Sequence, residues 1–428
     1  MNKSIIVVLV ICTVLMQHLH AQKTPVLITG GTLHIGDGTV VEQGQVVLRN
    51  GVIEYAGSAK ETGLTVANAS IIDATGEHIY PGCIGLTTQL GLMEIEAARA
   101  TRDVYEVGVY NPNVRSLIAY NTDSKVIPTV RSNGILLAQP VPDGGVISGQ
   151  SSIMKLSGWN WEDAVVAADG NMHMHWPSAY QYNYEKSVYT LNPNYTAEVR
   201  DIHTFLKEAK AYCSGPVPAE KNLRFEAMRK VFSHEQRLFV QANHAKEIMG
   251  AVEMADDLDV RIVIAGGRQA YRVTELLKAN QIPVLLEATQ ELPMYEGDPI
   301  DLAYRMPGLL TDAGILCGLT VNNEGSSYWN MRNLPFQAGN TVAYGMDTEQ
   351  ALRMITLNNA RIAGIDDRYG SLTAGKSATL FISTGDALDM RTNRLTHIFI
   401  SGEQVSPGNW QDDQERKYEE KYGITPRD

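Results

Sequence analysis

The sequence predicts an α/β protein: a (β/α)8 barrel of TIM type with a small composite β-sandwich domain built from both chain ends. Three observations carry that prediction. In the middle of the chain, apolar runs suited to buried strands alternate with amphipathic helical stretches, the pattern of parallel strands joined by crossover helices. At both ends, short runs rich in valine and isoleucine are bounded by glycine, Asp-Gly or Asn-Gly, which reads as antiparallel strands joined by tight turns. The length of 428 residues, 44% of them hydrophobic and 20% charged, supplies a large core and excludes a disordered chain or a small disulfide-stapled scaffold. An open doubly wound sheet would share the alternation, but no GxGxxG or GxxxxGK[ST] string marks a nucleotide site.

Taken in order, residues 1–21 read as a secretory signal peptide. Lys3 precedes an almost unbroken apolar run from Ser4 to Met16, and Ala21 ends the segment before Gln22. The run is shorter than the ~20 residues that a stable membrane span needs. Export to the periplasm or beyond is therefore expected, without a membrane anchor. Cleavage leaves Cys83, Cys213 and Cys317, and two of them lie in apolar runs, so a disulfide framework is not expected. The strands of 25–80 include the hairpin signal Asn50-Gly51, and SATLFIST, THIFISG and EQVSPG repeat the texture after Ser377. Neither end alone covers a hydrophobic face, so 22–80 and 366–428 should form one domain around a barrel of 81–365.

Barrel strands are expected to begin at Cys83, Ile135, Ser151, Leu238, Arg261, Ile282 and Gly314, and helices at Ala197–Cys213, Leu223–Phe232, Ala245–Met254, Arg268–Asn280, Asp301–Asp312 and Thr348–Asn358. The formal charge, 36 minus 48 or −12, leaves no basic surplus for phosphates and excludes a nucleic-acid partner.

The words that frame the barrel carry a resemblance. IIDATGEHIYPG before Cys83 and ALRMITLNNARIAGIDDRYGSLTAGKSATLFIS from Ala351 to Ser383 resemble the amidohydrolase superfamily, most closely its imidazolonepropionase-like and prolidase-like branch. The resemblance implies metal-assisted hydrolysis of a carbon–nitrogen bond, with one or two divalent ions, often zinc, at the C-terminal ends of the barrel strands. It also implies where the ligands should be: a His-x-His on strand 1, histidines after strands 5 and 6, and an aspartate after strand 8. Here strand 1 continues Pro81-Gly82-Cys83-Ile84-Gly85-Leu86-Thr87-Thr88-Gln89, so Thr87 and Gln89 stand where the two histidines belong. Gln241 stands at strand 5, Ala265-Gly266-Gly267 ends strand 6, and Asn322 or Asn323 precedes Glu324 at strand 8. Hydroxyls and amides do not hold a transition metal as imidazole does, so no metal is expected at the usual site.

Other groups could carry chemistry. His173-Met174-His175 has the spacing that puts two rings on one face of a strand, but it follows a helical stretch and is read as lying off the barrel strands, with packing as its ordinary role. His244 follows strand 5 and is read as structural or ligand-contacting. Asp103, Glu106, Glu287 and Glu324 are carboxylate candidates, Glu324 the strongest because barrel sites gather at strand ends. From Trp159 to Tyr195 the aromatic content is several times that of the whole chain, which fits a pocket lid, a groove or a subunit interface.

The expected function is an exported protein of this superfamily with a degenerate metal site, acting as a non-catalytic binder or as partner of an active homologue. Its expected ligand is a small polar metabolite at a mouth lined by Thr87, Gln89, Gln241, Asn322, Asn323 and Glu324, and its expected assembly is a homo-oligomer or a pairing with that homologue. The alternative is a hydrolase acting on carbon–nitrogen bonds through a rearranged site, with Glu324, His244 and His173 as catalytic candidates and zinc only in that case. A structural subunit of a cell-envelope assembly is the third reading.

Overall fold

The computed structural model describes residues 24–59, 66–185, 187–216, 218–293, 297–321 and 327–424. The expected signal peptide, and Asn322, Asn323 and Glu324, lie outside these residues.

Five strands come first: β1 Val26–His34, β2 Val40–Arg49, β3 Val52–Ser58, β4 Ser70–Asp73 and β5 His78–Pro81. Barrel strands follow as β6 Cys83–Thr88, β7 Ile135–Pro140, β8 Ile147–Lys155 and β9 Val165–His175. A separate hairpin, β10 Tyr180–Asn183 and β11 Val188–Leu191, precedes β12 Arg237–Ala242, β13 Ile262–Gly266, β14 Val284–Leu286 and β15 Cys317–Leu319. The chain ends with β16 Leu380–Ser383, β17 Leu395–Ile400, β18 Glu403–Val405 and a helix, Trp410–Tyr422.

β6 to β9 and β12 to β15 form one nearly closed eight-stranded sheet. Its inward side chains, Ile84, Leu86, Leu137, Ile153, Phe239, Val263 and Leu285, make a core of their own. The helix Leu357–Ala363 plugs one end: Ala360, Ile362 and Ala363 join that core, and Arg237 donates to the carbonyl of Ile362 at 2.7 Å. Asn359 closes the seam between first and last strands by donating Nδ2 to the carbonyls of Ile84 at 2.8 Å and Leu319 at 2.9 Å. Only a glycine fits opposite it, because a Cβ at Gly318 would lie 2.3 Å from Asn359 Oδ1. With that end sealed, the other end is the open mouth.

The expectation of eight repeated βα units needs correction. β8 runs antiparallel to both β7 and β9. The link from β7 to β8, Val141 to Val146, is too short for the crossover of about a dozen residues that parallel strands require. The helical stretch expected ahead of His173 is a single turn, Trp161–Ala164, and the chain then enters β9. β9 pairs in parallel with β12, placing His173 opposite Phe239 and His175 opposite Gln241, so these two histidines do lie on a barrel strand. Helix boundaries differ too. Leu223–Phe232 divides into Leu223–Ala227 and Arg229–Phe232, and Arg268–Asn280 keeps only a 3-10 turn, Ala270–Arg272, and the helix Thr274–Ala279. Thr348–Asn358 stops at Ile355, where Thr356 leaves helical geometry with φ −121° and ψ −94° and starts the plug helix.

The strands of the two chain ends meet in a second eight-stranded sheet through antiparallel pairing of β16 with β5. Ile28, Leu33, Val46, Ile53, Ile79, Leu380 and Phe399 are in its core. The terminal helix, capped by Asn409, leaves this sheet and reaches the barrel, where Thr129 donates to Gln411 Oε1 at 2.7 Å. The three cysteines of the described residues are unbridged, and Cys83 and Cys317 are buried in apolar surroundings that push both thiols up to about 12. No helix of the described residues is long and apolar enough to cross a membrane.

Candidate functional site

Side chains that alternate inward along the strands give the mouth its lining. One cavity of about 470 Å³ opens there, with Thr87, Asp143, His173, His175, Gln241, His244, Arg268 and Glu287 in its wall. That volume suits a small molecule. Thr87, Gln241, His173 and His244 are thus brought together around one cavity. Gln89 stands just behind the wall, buried, donating Nε2 to Asp143 Oδ2 at 3.4 Å.

Beneath the cavity a polar chain crosses four strands. The backbone N–H of Thr87 donates to Gln139 Oε1 at 3.2 Å, and Gln139 Nε2 donates to Ser151 Oγ at 3.0 Å. Ser151 Oγ lies 2.7 Å from His173 Nε2. The serine hydroxyl has one proton and two lone pairs, so it serves the amide and the imidazole at once, its role toward Nε2 following the tautomer of the ring. Burial, with His175 nearby, pushes His173 down to about 3, so the ring is neutral near pH 7. Ser151 is fully buried, so the pair stiffens the floor rather than offering a nucleophile. Thr87 itself has φ +47°, within a register shift between β6 and β7. A β-branched residue in that left-handed region is strained.

Above this floor stand two pairs. His175 Nε2 lies 3.1 Å from Asp143 Oδ1, and the hydrogen bond from this histidine, with that from the Gly144 backbone, holds the carboxyl below its usual range. Gln241 Nε2 donates to Glu287 Oε1 at 2.7 Å. The wall is completed by groups engaged in structure. Glu247 accepts from the backbone N–H of Asn243 and of His244 at 3.0 Å and from that of Ala179 at 2.8 Å, which fixes the start of the helix Ala245–Leu258. His244 packs under the Tyr180 ring at 4.7 Å and is pushed down by burial. Arg268 is ion-paired with Glu291 at 2.8 Å.

The aromatic segment sits at the rim. Trp176 donates Nε1 to Tyr195 at 3.1 Å, Tyr189 of the β10–β11 hairpin lines the cavity, and Tyr182 and Tyr184 continue outward in edge contact at 5.1 Å. Of the other carboxylates read from the sequence, Asp103 and Glu106 do not line this cavity, whereas Glu287 does.

A transition metal does not fit the described residues of this mouth. Among them no three histidine, cysteine or carboxylate side chains converge as a ligand set. An imidazole at Gly266 of β13 would need a strained backbone, φ being +88°, and displaced amides, since a Cβ there would lie 2.4 Å from Asn243 Oδ1 and 3.0 Å from Gln241 Nε2. The amides fill the space that ligands would need. The sequence does not mark Asp143 and His175 as a pair. Asp143 lies in the turn Pro142-Asp143-Gly144-Gly145, where an aspartate reads as turn chemistry, and only the barrel register brings His175 to it.

Fold and sequence now place the chain among known proteins. Residues 303–405 match the amidohydrolase family model. A stretch of 176 residues is 25% identical to the amidohydrolase tasK of Hapsidospora irregularis, covering 33% of this chain and 17% of that protein's length. An amidohydrolase from Thermotoga maritima shares the fold at a TM-score of 0.76 and 22% identity, over 89% of this chain and 99% of the other. A molinate hydrolase shares it at 0.55 and 15% over 90% and 95%. A prolidase solved with N-methylphosphonate-L-proline shares it at 0.54 and 16% over 90% and 100%. The protein thus has the amidohydrolase fold, prolidase-like structures among its neighbours, and the superfamily's sequence pattern over residues 303–405.

Proposed function

We propose that the protein is an exported amidohydrolase-fold binder that holds a small polar ligand at the barrel mouth without metal-assisted hydrolysis. The observation that carries this reading is the replacement of ligand positions by amides already joined to carboxylates, Gln241 to Glu287 and Gln89 to Asp143. An amide offers both donor and acceptor and so suits a neutral or charged polar ligand, whereas it is a poor partner for zinc. Export rests on Lys3 and the apolar run to Met16.

The test is a thermal-shift screen of the mature chain against amino acids, dipeptides and nucleobases. At least one compound should raise the melting temperature, and the shift should vanish in Gln241→Leu. Hits indifferent to Gln241→Leu and to Thr87→His with Gln89→His would place binding elsewhere.

A second reading rests on the His175–Asp143 pair, which faces the cavity at 3.1 Å. An imidazole so oriented can take a proton from water as a general base, and the activity would be hydrolysis of a carbon–nitrogen bond. Amide turnover abolished by His175→Gln would favour this reading over pure binding.

A further inference from the structure

We infer that the ligand of the barrel mouth is longer than the cavity and ends in a flat, uncharged ring, which lies against the face of the β10–β11 hairpin. This deepens the binding reading above and rests on it.

The hairpin joins neither of the two large sheets. Its register sets Tyr180 opposite Leu191 and Tyr182 opposite Tyr189, and because side chains alternate along a strand, these four share one face. The inner end of that face is built into the site. The Tyr180 ring packs on His244 at 4.7 Å, and both His244 and Tyr189 line the cavity. Further out the face is bare: Tyr182 is 42%, Tyr189 63% and Leu191 64% exposed. The rings of Tyr182 and Tyr189 meet edge to face at 5.2 Å, a cross-strand contact that steadies the hairpin but leaves most of Tyr189 in water. Large apolar groups gathered on one face at the rim of a cavity mark a surface made for contact.

The base of the hairpin is fixed, so this face is preformed. Ala179 donates its N–H to Glu247 Oε1 at 2.8 Å and accepts from the Asn192 N–H at 3.0 Å, while Asn192 Nδ2 donates to the carbonyl of Ser178 at 2.9 Å. A surface held in place before binding loses less freedom when a ligand settles on it. Two features say what settles there. Strands β10 and β11, YQYN and VYTL, carry no charged residue, so nothing on them calls for an ionic group. Aromatic rings pair with other rings in edge and offset-stacked contacts, which adds to the gain from burying apolar area. Continuity with the cavity through Tyr189 makes the occupant one end of a ligand whose polar end sits in the mouth, rather than a separate molecule.

The experiment is isothermal titration calorimetry of the mature full-length chain with Gly-Gly, Gly-Leu, Gly-Phe and Gly-Trp. Gly-Phe and Gly-Trp should bind at least about tenfold more tightly than Gly-Gly, with Gly-Leu between. Most of that gain should vanish in Tyr189→Ser and be kept in Tyr189→Phe. In the unaltered protein, hydroxyl-radical footprinting should find Tyr182, Tyr189 and Leu191 shielded by Gly-Phe and not by Gly-Gly, a readout that needs no variant. Ring-bearing probes no tighter than Gly-Gly, no heat from either up to about 10 mM, or shielding that spares the hairpin overturns the inference. So does a dimer, seen by light scattering, that Tyr189→Ser converts to a monomer, since the face then belongs to a second copy. If Gly-Gly and Gly-Phe bind alike and both need Gln241, the binding reading survives and only the hairpin is wrong. If Gly-Phe shields the hairpin but ignores Gln241→Leu, the ring site stands and the amides are not what holds the polar end.

Discussion

Replacing Asn359 by leucine should lower the unfolding free energy by about 3 to 5 kcal/mol, a loss readable as a shift in the urea midpoint at unchanged slope. The side chain is fully buried, and its amide links β6 to β15 where no strand pairing joins them, beside the bond from the Thr320 hydroxyl to the Leu86 carbonyl. Leucine keeps the branched shape at a larger volume and removes both donors, so the carbonyls of Ile84 and Leu319 lose that amide in a place water does not reach. Hydrogen exchange should quicken first at the amides of these two strands. A loss below about 1 kcal/mol would mean that packing of the plug helix alone closes the barrel.

The second large effect is on pH dependence. His173 is held near 3 by burial in the fold, against an ordinary value of 6.5. Below the ordinary value the unfolded chain takes up a proton that the folded chain refuses. The contribution is therefore fully present above about pH 6.5 and is lost as pH falls from there toward 3, at up to ~1.4 kcal/mol per pH unit. Between about pH 6.5 and pH 4.5 the protein should lose on the order of 2 to 3 kcal/mol through this residue. His78, pushed down by burial and by His34, acts in the same direction. Asp143, held low, also loses its contribution on acidification, but at lower pH. Stability of His173→Gln measured by urea melts across this range should start lower and fall less steeply. An unchanged slope would show that His173 is reachable by water and charges inside the fold.

These two residues mark what the sequence could and could not convey. The seam asparagine sits in a long motif whose resemblance to the superfamily was plain, so the barrel and its closing segment were legible. That Thr87, Gln89 and Gln241 stand where the resemblance implies metal ligands was read from the framing words as well. The reversal of β8 was not, since Ile147–Lys155 has the same buried texture that a parallel strand would have. Nor was β9. Its first half, Val165 to Gly170, is only partly buried, and two alanines and a glycine blur its alternation. Missing β9 hid the role of His173 and His175, because strand register alone joins His173 to Ser151 and His175 to Asp143. The participation of Asp143 depends on a turn folding back over β6, a long-range contact that local pattern does not encode.

The exchange of metal ligands for amides at the mouth is tested most directly by the metal content of the protein purified without chelator and dialysed against metal-free buffer. Zinc, iron and manganese should each remain well below one per chain, because Thr87, Gln89, Gln241 and Gly266 supply no imidazole. Near-stoichiometric metal that survives dialysis, and that is lost on substituting Gln241 or His175, would contradict this and return the mouth to metal-assisted hydrolysis.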